Sequence, residues 1–467
     1  MSILIAFGPD GWYGVISDGI DFENMGIVAQ AIADMLREQK TDHPLLAVGY
    51  DTRFLSREYA WHIQKVLVGN GIRVLFHRFP VTTSILSYST KRFNCDLGIM
   101  VTGGGRPARY SGLTFRDAAG LPVSQKWMNQ LFQFLYRRYP RAIDGNRHLL
   151  EVIDVTQDYA RLMDEYIDFD LIRSKKPVVI YDAHYGSTGD FMVSFLKERG
   201  INCLGLRTKP NPGFNGSLPQ PIDRNMSVLS RIVVKRNGTV GFFFNGDGSR
   251  LGVVDMKGNI LDFCRFSSMI FEEWVASQGM IDIILTGPTT PSMVNILVGH
   301  YGGKCERWFD TMNKLNKLQS DNKWIRWEEF SMAFGRVLPD FDATFQSLIL
   351  LQGLCRWDFD LEAWMKSTDN MVNVGCMEEK HMAINDELWN KKKKWILDAS
   401  IPLPFAKSIN FIEEDTDKIK AELINGKWVI LRYSGIESTL QIVVESTNNQ
   451  DATLIMNDVV DWVRKDI

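Results

Sequence analysis

At 467 residues the chain is too long for a single hydrophobic core and implies three or four domains of ordinary size. Its apolar share of 45% is that of a soluble globular protein, and a net charge of -3 supplies no basic field for nucleic acid. No apolar run reaches the roughly 18 residues that span a bilayer, and the N-terminal stretch lacks the basic segment of a signal peptide, so the expectation is a cytoplasmic chain with no transmembrane segment.

Helical and strand patterns alternate along the sequence, which argues for layered α/β structure. Residues 22–39 read as an amphipathic helix, because Val28, Ala31, Ile32 and Met35 recur at helical spacing after an acidic start. A buried strand at 45–49, a helix at 58–70 and a strand at 72–76 complete a βαβ unit. The pattern restarts after a basic, turn-rich linker at 137–147, with a helix at 152–168, a strand at 177–181 and a helix at 190–198. A third restart follows Gly258, with a helix at 260–278, a strand at 281–286 and a helix at 292–301. The tail differs: a helix at 415–423, strands at 428–432 and 440–445, and a final helix at 452–465 predict a smaller α+β unit.

Six scattered cysteines (Cys95, Cys203, Cys264, Cys305, Cys355, Cys376) form no Cys-x-x-Cys pair and read as reduced and mostly buried. The lysine run at 391–394 reads as a solvated helix face rather than a binding patch. Seven of the thirteen tryptophans fall between Trp308 and Trp395. Core packing explains most of them, but aromatic enrichment is also a property of protein interfaces, and this Trp-rich region is the candidate for a partner surface.

Four loops carry the functional information. They are Phe7-Gly8-Pro9-Asp10-Gly11-Trp12-Tyr13-Gly14 with Gly49-Tyr50-Asp51-Thr52-Arg53; Thr102-Gly103-Gly104-Gly105-Arg106-Pro107 followed by Tyr110 and Gly112; Asn245-Gly246-Asp247-Gly248-Ser249-Arg250; and Arg432-Tyr433-Ser434-Gly435-Ile436-Glu437-Ser438. Taken in order, these loops resemble those of the α-D-phosphohexomutases, the phosphoglucomutase and phosphomannomutase enzymes. The resemblance covers nearly the whole chain. It implies three similar α/β domains (1–147, 148–257, 258–372) and a smaller α+β domain (373–467) around a central cleft.

The resemblance also implies what has been replaced. Gly104 falls where the family carries its phosphorylated serine, and Gly105 and Arg106 stand for the His and Asn that follow it. In the metal loop Asn245 and Ser249 replace two of three aspartates, leaving Asp247, so no cofactor is expected although active relatives use magnesium, a cation that prefers anionic oxygens. Tyr13 stands for an arginine and Tyr185 for a histidine, with His184 one residue earlier. Glu328, Glu329, Phe330 and Ser331 are a remnant of the sugar loop, and Lys314 aligns, across a small insertion, with the lysine that faces the sugar. Arg432, Ser434 and Gly435 keep part of the phosphate clamp, whereas Ile436, Thr439 and Gln441 replace its Thr and two cations.

The expectation is therefore a pseudoenzyme: a mutase fold without mutase activity, working as a scaffold or regulatory subunit with a protein partner or a second copy. The alternative is a sensor that binds sugar phosphate weakly through the residual clamp. Retained or altered phosphotransfer, through His184 or Asp247, is the remaining alternative.

Overall fold

A computed structural model of the chain describes residues 5–8, 11–39, 41–143, 147–279, 281, 283–307, 324–328, 330–397, 406–413, 418–423, 427–434 and 438–465. Among these residues the strands form four sheets. The first runs in the spatial order Gly19–Ile20, Trp12–Ile16, Tyr110–Asp117, Leu97–Val101, Leu45–Tyr50, Arg73–His77, Leu150–Ile153, and its last four strands are mutually parallel. The second centres on Val178–Asp182 and Val240–Phe244, paired in parallel. The third is built on Ile283–Thr286, which pairs in parallel with Lys304–Arg307 and Trp324–Glu328. The fourth, from Cys376–Ala383 to Ala406–Glu413, is antiparallel throughout. The fold is mixed α/β with a terminal α+β unit, as the alternation of patterns implies.

Local chemistry explains the placement of the main elements. Asp21 caps the helix Phe22–Glu38 by accepting from the amide of Asn24 at 2.8 Å. From Asn24 to Leu36 every residue of this helix is buried, because it packs against Ser56–Gly69 and Gln125–Phe132 as well as the sheet. The second and third units share one apolar core, which runs from Tyr159 through Phe271 to Trp364 and takes in Met377, Trp428, Ile430 and Val443 of the fourth. Asp342 caps Ala343–Arg356, the helix at the centre of that core, and Tyr159 donates a hydrogen bond to the same carboxylate.

Three expectations are corrected. Leu150–Ile153 is a strand parallel to Arg73–His77, so the first sheet reaches past residue 147, and the helix expected at 152–168 begins only at Thr156 and ends at Asp164. The stretch expected as a helix at 415–423 is, where described, the strand Lys418–Leu423. Ile419, Ala421 and Leu423 are buried while Lys420 and Glu422 between them are not, the period of two that a half-buried strand requires.

Where described, the tryptophans of this region are buried or half-buried and none is exposed. Trp324, Trp327, Trp364 and Trp389 are each at most 2% exposed, and half-buried Trp357 stacks on Trp364 at 6.0 Å. Trp364 also donates to the buried carboxylate of Glu272 at 2.6 Å, which satisfies the indole N–H. Trp308 lies outside the described residues. Five of the six cysteines are buried and Cys305 is half-buried, all as free thiols. Among the described residues no helix is long and apolar enough to cross a membrane.

Candidate functional site

The glycine loop is held by a buried ion pair. Asp51 follows the strand Leu45–Tyr50, and its Oδ2 accepts from Thr102 Oγ1 at 2.8 Å and from Arg53 Nε at 3.1 Å. Its Oδ1 accepts from Ser56 Oγ at 2.6 Å and the Arg53 amide at 2.9 Å. The Arg53 guanidinium then donates to four carbonyls of the loop: Gly104 and Arg106 at 2.7 Å, Pro107 at 2.8 Å and Tyr110 at 3.0 Å. Burial pulls the Arg53 pKa down, and the carboxylates of Asp51 and Asp247 oppose that pull. The Asp-Thr-Arg segment therefore fixes the shape of residues 102–110 through backbone carbonyls, whatever side chains those residues carry.

Gly104 takes a left-handed conformation (φ +57°), and a Cβ built on it would lie 3.8 Å from Asp247 Oδ2 and 3.8 Å from the Arg106 guanidinium. A side chain at residue 104 would thus begin at van der Waals distance from the Asp247 carboxylate. Of the hydroxyls beside it, Thr102 Oγ1 donates to Asp51 and accepts from the Gly104 amide at 2.9 Å, and Ser111 Oγ is fully buried with no hydrogen-bond partner.

The three metal-loop side chains converge, but they bond to one another. Asn245 Nδ2 donates to Ser249 Oγ at 3.2 Å, and Ser249 Oγ donates to Asp247 Oδ1 at 2.7 Å. Asn245 Oδ1 accepts from the Arg250 amide at 2.9 Å. The donor set is one carboxylate, one amide oxygen already engaged and one hydroxyl that points its proton at the carboxylate. That set does not fit magnesium, which dehydrates reluctantly and needs anionic oxygens in octahedral array.

This loop is also where three units meet. Thr83 N donates to Asp247 O at 3.2 Å, Ala343 N to Gly248 O at 3.1 Å, and Ser331 Oγ to Ser249 O at 2.6 Å. Ser331 is buried and also accepts from Gln346 Nε2 at 3.1 Å, so it joins the second and third units. Glu328 pairs with Arg326 at 3.3 Å, and Phe330 sits in the left-handed region (φ +60°), a rare conformation for a bulky residue. Lys314 and Glu329 lie outside the described residues.

Tyr13 does not leave the site without a cation. The Arg106 guanidinium stacks over the Tyr13 ring with its carbon 3.6 Å from the centroid, so the loop itself supplies the charge that an arginine at position 13 would have brought. Beside it, Gln220 fills the space that a side chain at residue 105 would need: a Cβ on Gly105 would fall 1.5 Å from Gln220 Nε2.

Tyr185 and His184 are both left-handed (φ +63° and +44°) at the end of the strand Val178–Asp182. Thr52 Oγ1 donates to Tyr185 O at 3.0 Å, which ties the first and second units. His184 is fully buried, with Nε2 2.9 Å from Ser217 Oγ and its ring 4.8 Å from that of Phe243. Burial, with Arg207 nearby, pushes its pKa down to about 4.

In the fourth unit Arg432 donates to Gln441 Oε1 at 2.7 Å, and Gln441 in turn donates to Glu379 Oε1. Glu379 also accepts from His381 Nε2 at 2.8 Å and from Arg250 of the metal loop at 3.4 Å. Burial alone would raise the Glu379 pKa, but Arg250, His381 and Gln441 together outweigh it and hold the carboxyl down at about 2. Ser434 lies on the strand Trp428–Ser434, opposite Thr439, and Gly435 lies outside the described residues.

Loops of this form, in this order and on these sheets, define a protein of the phosphohexomutase fold. Family models for phosphoglucomutase/phosphomannomutase α/β/α domains I and II match residues 4–138 and 157–258, between them just over half the chain. The chain belongs to the α-D-phosphohexomutase family. It is 26% identical to a phosphoglucosamine mutase of Caldanaerobacter subterraneus subsp. tengcongensis, over 98% of both chains. It is 21% identical to a phosphoglucomutase/phosphomannomutase of Thermococcus kodakarensis, over 96% of this chain and 95% of the other. The crystal structure of a candidate phosphomannomutase from Thermus thermophilus superposes with a TM-score of 0.83 at 22% identity, covering 99% of this chain and all of that one.

Four residues of the site escaped the sequence reading: Arg106 and Arg250 as cations, Gln220 as the filler beside Gly105, and Glu379 as the hub of the fourth unit. Arg106 and Arg250 stand inside the quoted motifs, so they were visible without a role. The run Glu378-Glu379-Lys380-His381 on one strand was a signal in itself, since consecutive charges in an extended segment imply polar partners. Gln220, between two prolines, had none.

Proposed function

We propose that this chain is a phosphohexomutase-fold protein that does not turn over hexose phosphates and serves as a structural or regulatory subunit for a protein partner or a second copy of itself. One observation carries the loss of turnover: the residue facing Asp247 is Gly104, which has no hydroxyl, while Thr102 beside it is bonded to Asp51 and Ser111 is fully buried. Phosphate transfer by way of the protein needs an oxygen nucleophile aligned with the transferring group, and a displacement of about 1 Å can already cost about 100-fold. The lack of anionic ligands at Asn245 and Ser249 supports the same conclusion, since charge on the transferring group would go without its cation.

The test is a coupled assay on glucose 1-phosphate, mannose 1-phosphate and glucosamine 1-phosphate, the last two chosen from the names of the relatives, with a bisphosphate activator and magnesium. Turnover within about 100-fold of roughly 1 to 1,000 per second, the range of ordinary enzymes, would sink the proposal.

A second reading, a sensor that binds a sugar phosphate without transforming it, is favoured by Arg106, which returns a cation to the junction beside Tyr13. It predicts micromolar to millimolar binding that is lost in Arg432→Ala. Calorimetry showing no heat with any hexose phosphate would remove it.

A further inference from the structure

We propose that Glu379 is a built-in anion that occupies the site between Arg250 and the Gln441–Arg432 pair, and so straps the fourth unit to the metal loop until an anionic ligand displaces it. The contacts form one file across the junction. Gln220 Oε1 and Glu379 Oε2 each accept from Arg250 Nη1 at 3.4 Å, Glu379 Oε1 accepts from Gln441 and His381, and Gln441 Oε1 accepts from Arg432. Arg250 comes from the second unit, and Glu379, Gln441 and Arg432 come from three neighbouring strands of the fourth sheet.

A carboxylate held this way satisfies what a phosphate or carboxylate ligand would satisfy there: one guanidinium directly, a second through an amide that can present either end. The neutral Gln441 is essential to this arrangement, because its oxygen takes the Arg432 proton while its nitrogen serves Glu379. Two adjacent cations in that position would compete for the carboxylate.

The strap sits beside the boundary of the third and fourth units. Two residues before Glu379, the amide of Met377 donates to Asp262 at 3.0 Å, where the fourth sheet joins the third unit. Ser292 N and Oγ donate to Glu445 Oε1 and Oε2 at 2.8 and 2.6 Å along the same boundary. These bonds, with Met377, Trp428, Ile430 and Val443 packed in the shared core, attach the fourth unit, whereas the Arg250–Glu379 contact ties it to the second.

The inference takes its ligand class from the sensor reading, and the experiment keeps the two separable. Spin labels on exposed Ser227 and Thr453 report the separation of the second and fourth units, and calorimetry with glucose 1-phosphate reports the site. Glu379→Gln should lengthen or broaden the distance distribution and bind glucose 1-phosphate at least tenfold tighter than the unsubstituted protein. Arg250→Gln, which breaks the strap from the other side, should change the distance in the same way without tighter binding. An unchanged distance in both variants overturns the strap, and unchanged or weaker binding in a folded Glu379→Gln overturns the displacement. Binding by the unsubstituted protein with no gain in Glu379→Gln would preserve the sensor reading while removing this one. Heat from neither protein would remove both.

Discussion

Asp247 and Gly104 face each other across the seam of the first two units, with the carboxylate oxygen 3.8 Å from where a Cβ on residue 104 would stand. The approach is open, and the backbone around it is held by Arg53. On the proposed reading the two loops lack the side chains for phosphate transfer, so the effects of adding a serine and two aspartates can be forecast.

Gly104→Ser should fold, because its Cβ meets nothing closer than ordinary van der Waals contact. The left-handed backbone should cost about 1–2 kcal/mol, or a few degrees of melting temperature. It should remain without mutase activity, and adding Asn245→Asp and Ser249→Asp should recover little, since Gln220 still fills the space beside residue 105. Robust turnover from the single substitution would contradict this.

Magnesium at millimolar concentration should leave the melting temperature of the unsubstituted protein unchanged, because a ligand that binds the folded state stabilises it in proportion to RT ln(1 + [L]/Kd). The double variant Asn245→Asp, Ser249→Asp should melt lower without magnesium, from repulsion among three carboxylates, and higher with it. A clear upward shift in the unsubstituted protein would show that the present donor set suffices.

Arg53→Ala should destabilise the first unit by about 3–5 kcal/mol, the range for breaking a buried pair by removing one partner. It strips Asp51 of its cation and leaves four loop carbonyls without their donor. Urea unfolding followed by tryptophan fluorescence measures it; a loss below about 1 kcal/mol would mean the loop is held by something else.

Acid should destabilise the protein in a window set by two buried histidines. Burial pushes the pKa values of His77 and His184 down to about 4 from an ordinary 6.5. The unfolded chain therefore takes up protons first. Their contribution is fully present above about pH 6.5 and is lost as the pH falls toward 4, by up to about 3 kcal/mol for each. Unfolding free energies at several pH values, compared with those of His184→Gln, should show a shallower slope in the variant over this range; equal slopes would refute the assignment.

Much of the fold could be read from the chain because its signals are local. The periodicity of Val28, Ala31, Ile32 and Met35 marked a helix, and the Gly-Tyr-Asp-Thr-Arg segment marked a strand end that turned out to organise the glycine loop. The errors came where long-range pairing overrode local preference. Val152 and Val155 fit a helical stripe with Tyr159, yet 150–153 supplies an edge strand to a sheet made almost wholly of earlier residues. Lys420, Ala421, Glu422 and Leu423 are good helix formers, but the alternation that includes Ile419 decided otherwise. Composition counted the tryptophans without saying that Trp364 has a carboxylate to bond beneath the surface. At the site, the replaced residues were visible and their substitutes were not. Gln220 beside Gly105 and Glu379 beside Arg250 are meetings of segments far apart in the chain, which a single sequence does not announce.

The bonds that gather three units onto residues 247–249 all end on main-chain oxygens, donated by Thr83, Ala343 and Ser331. A carbonyl belongs to every amino acid, so no substitution at those three positions deletes it. The architecture of this junction is thereby insulated from the identity of the side chains it displays. Such a junction can lose a reaction through successive replacements while the assembly of its units stays intact, leaving a rigid framework open to new uses.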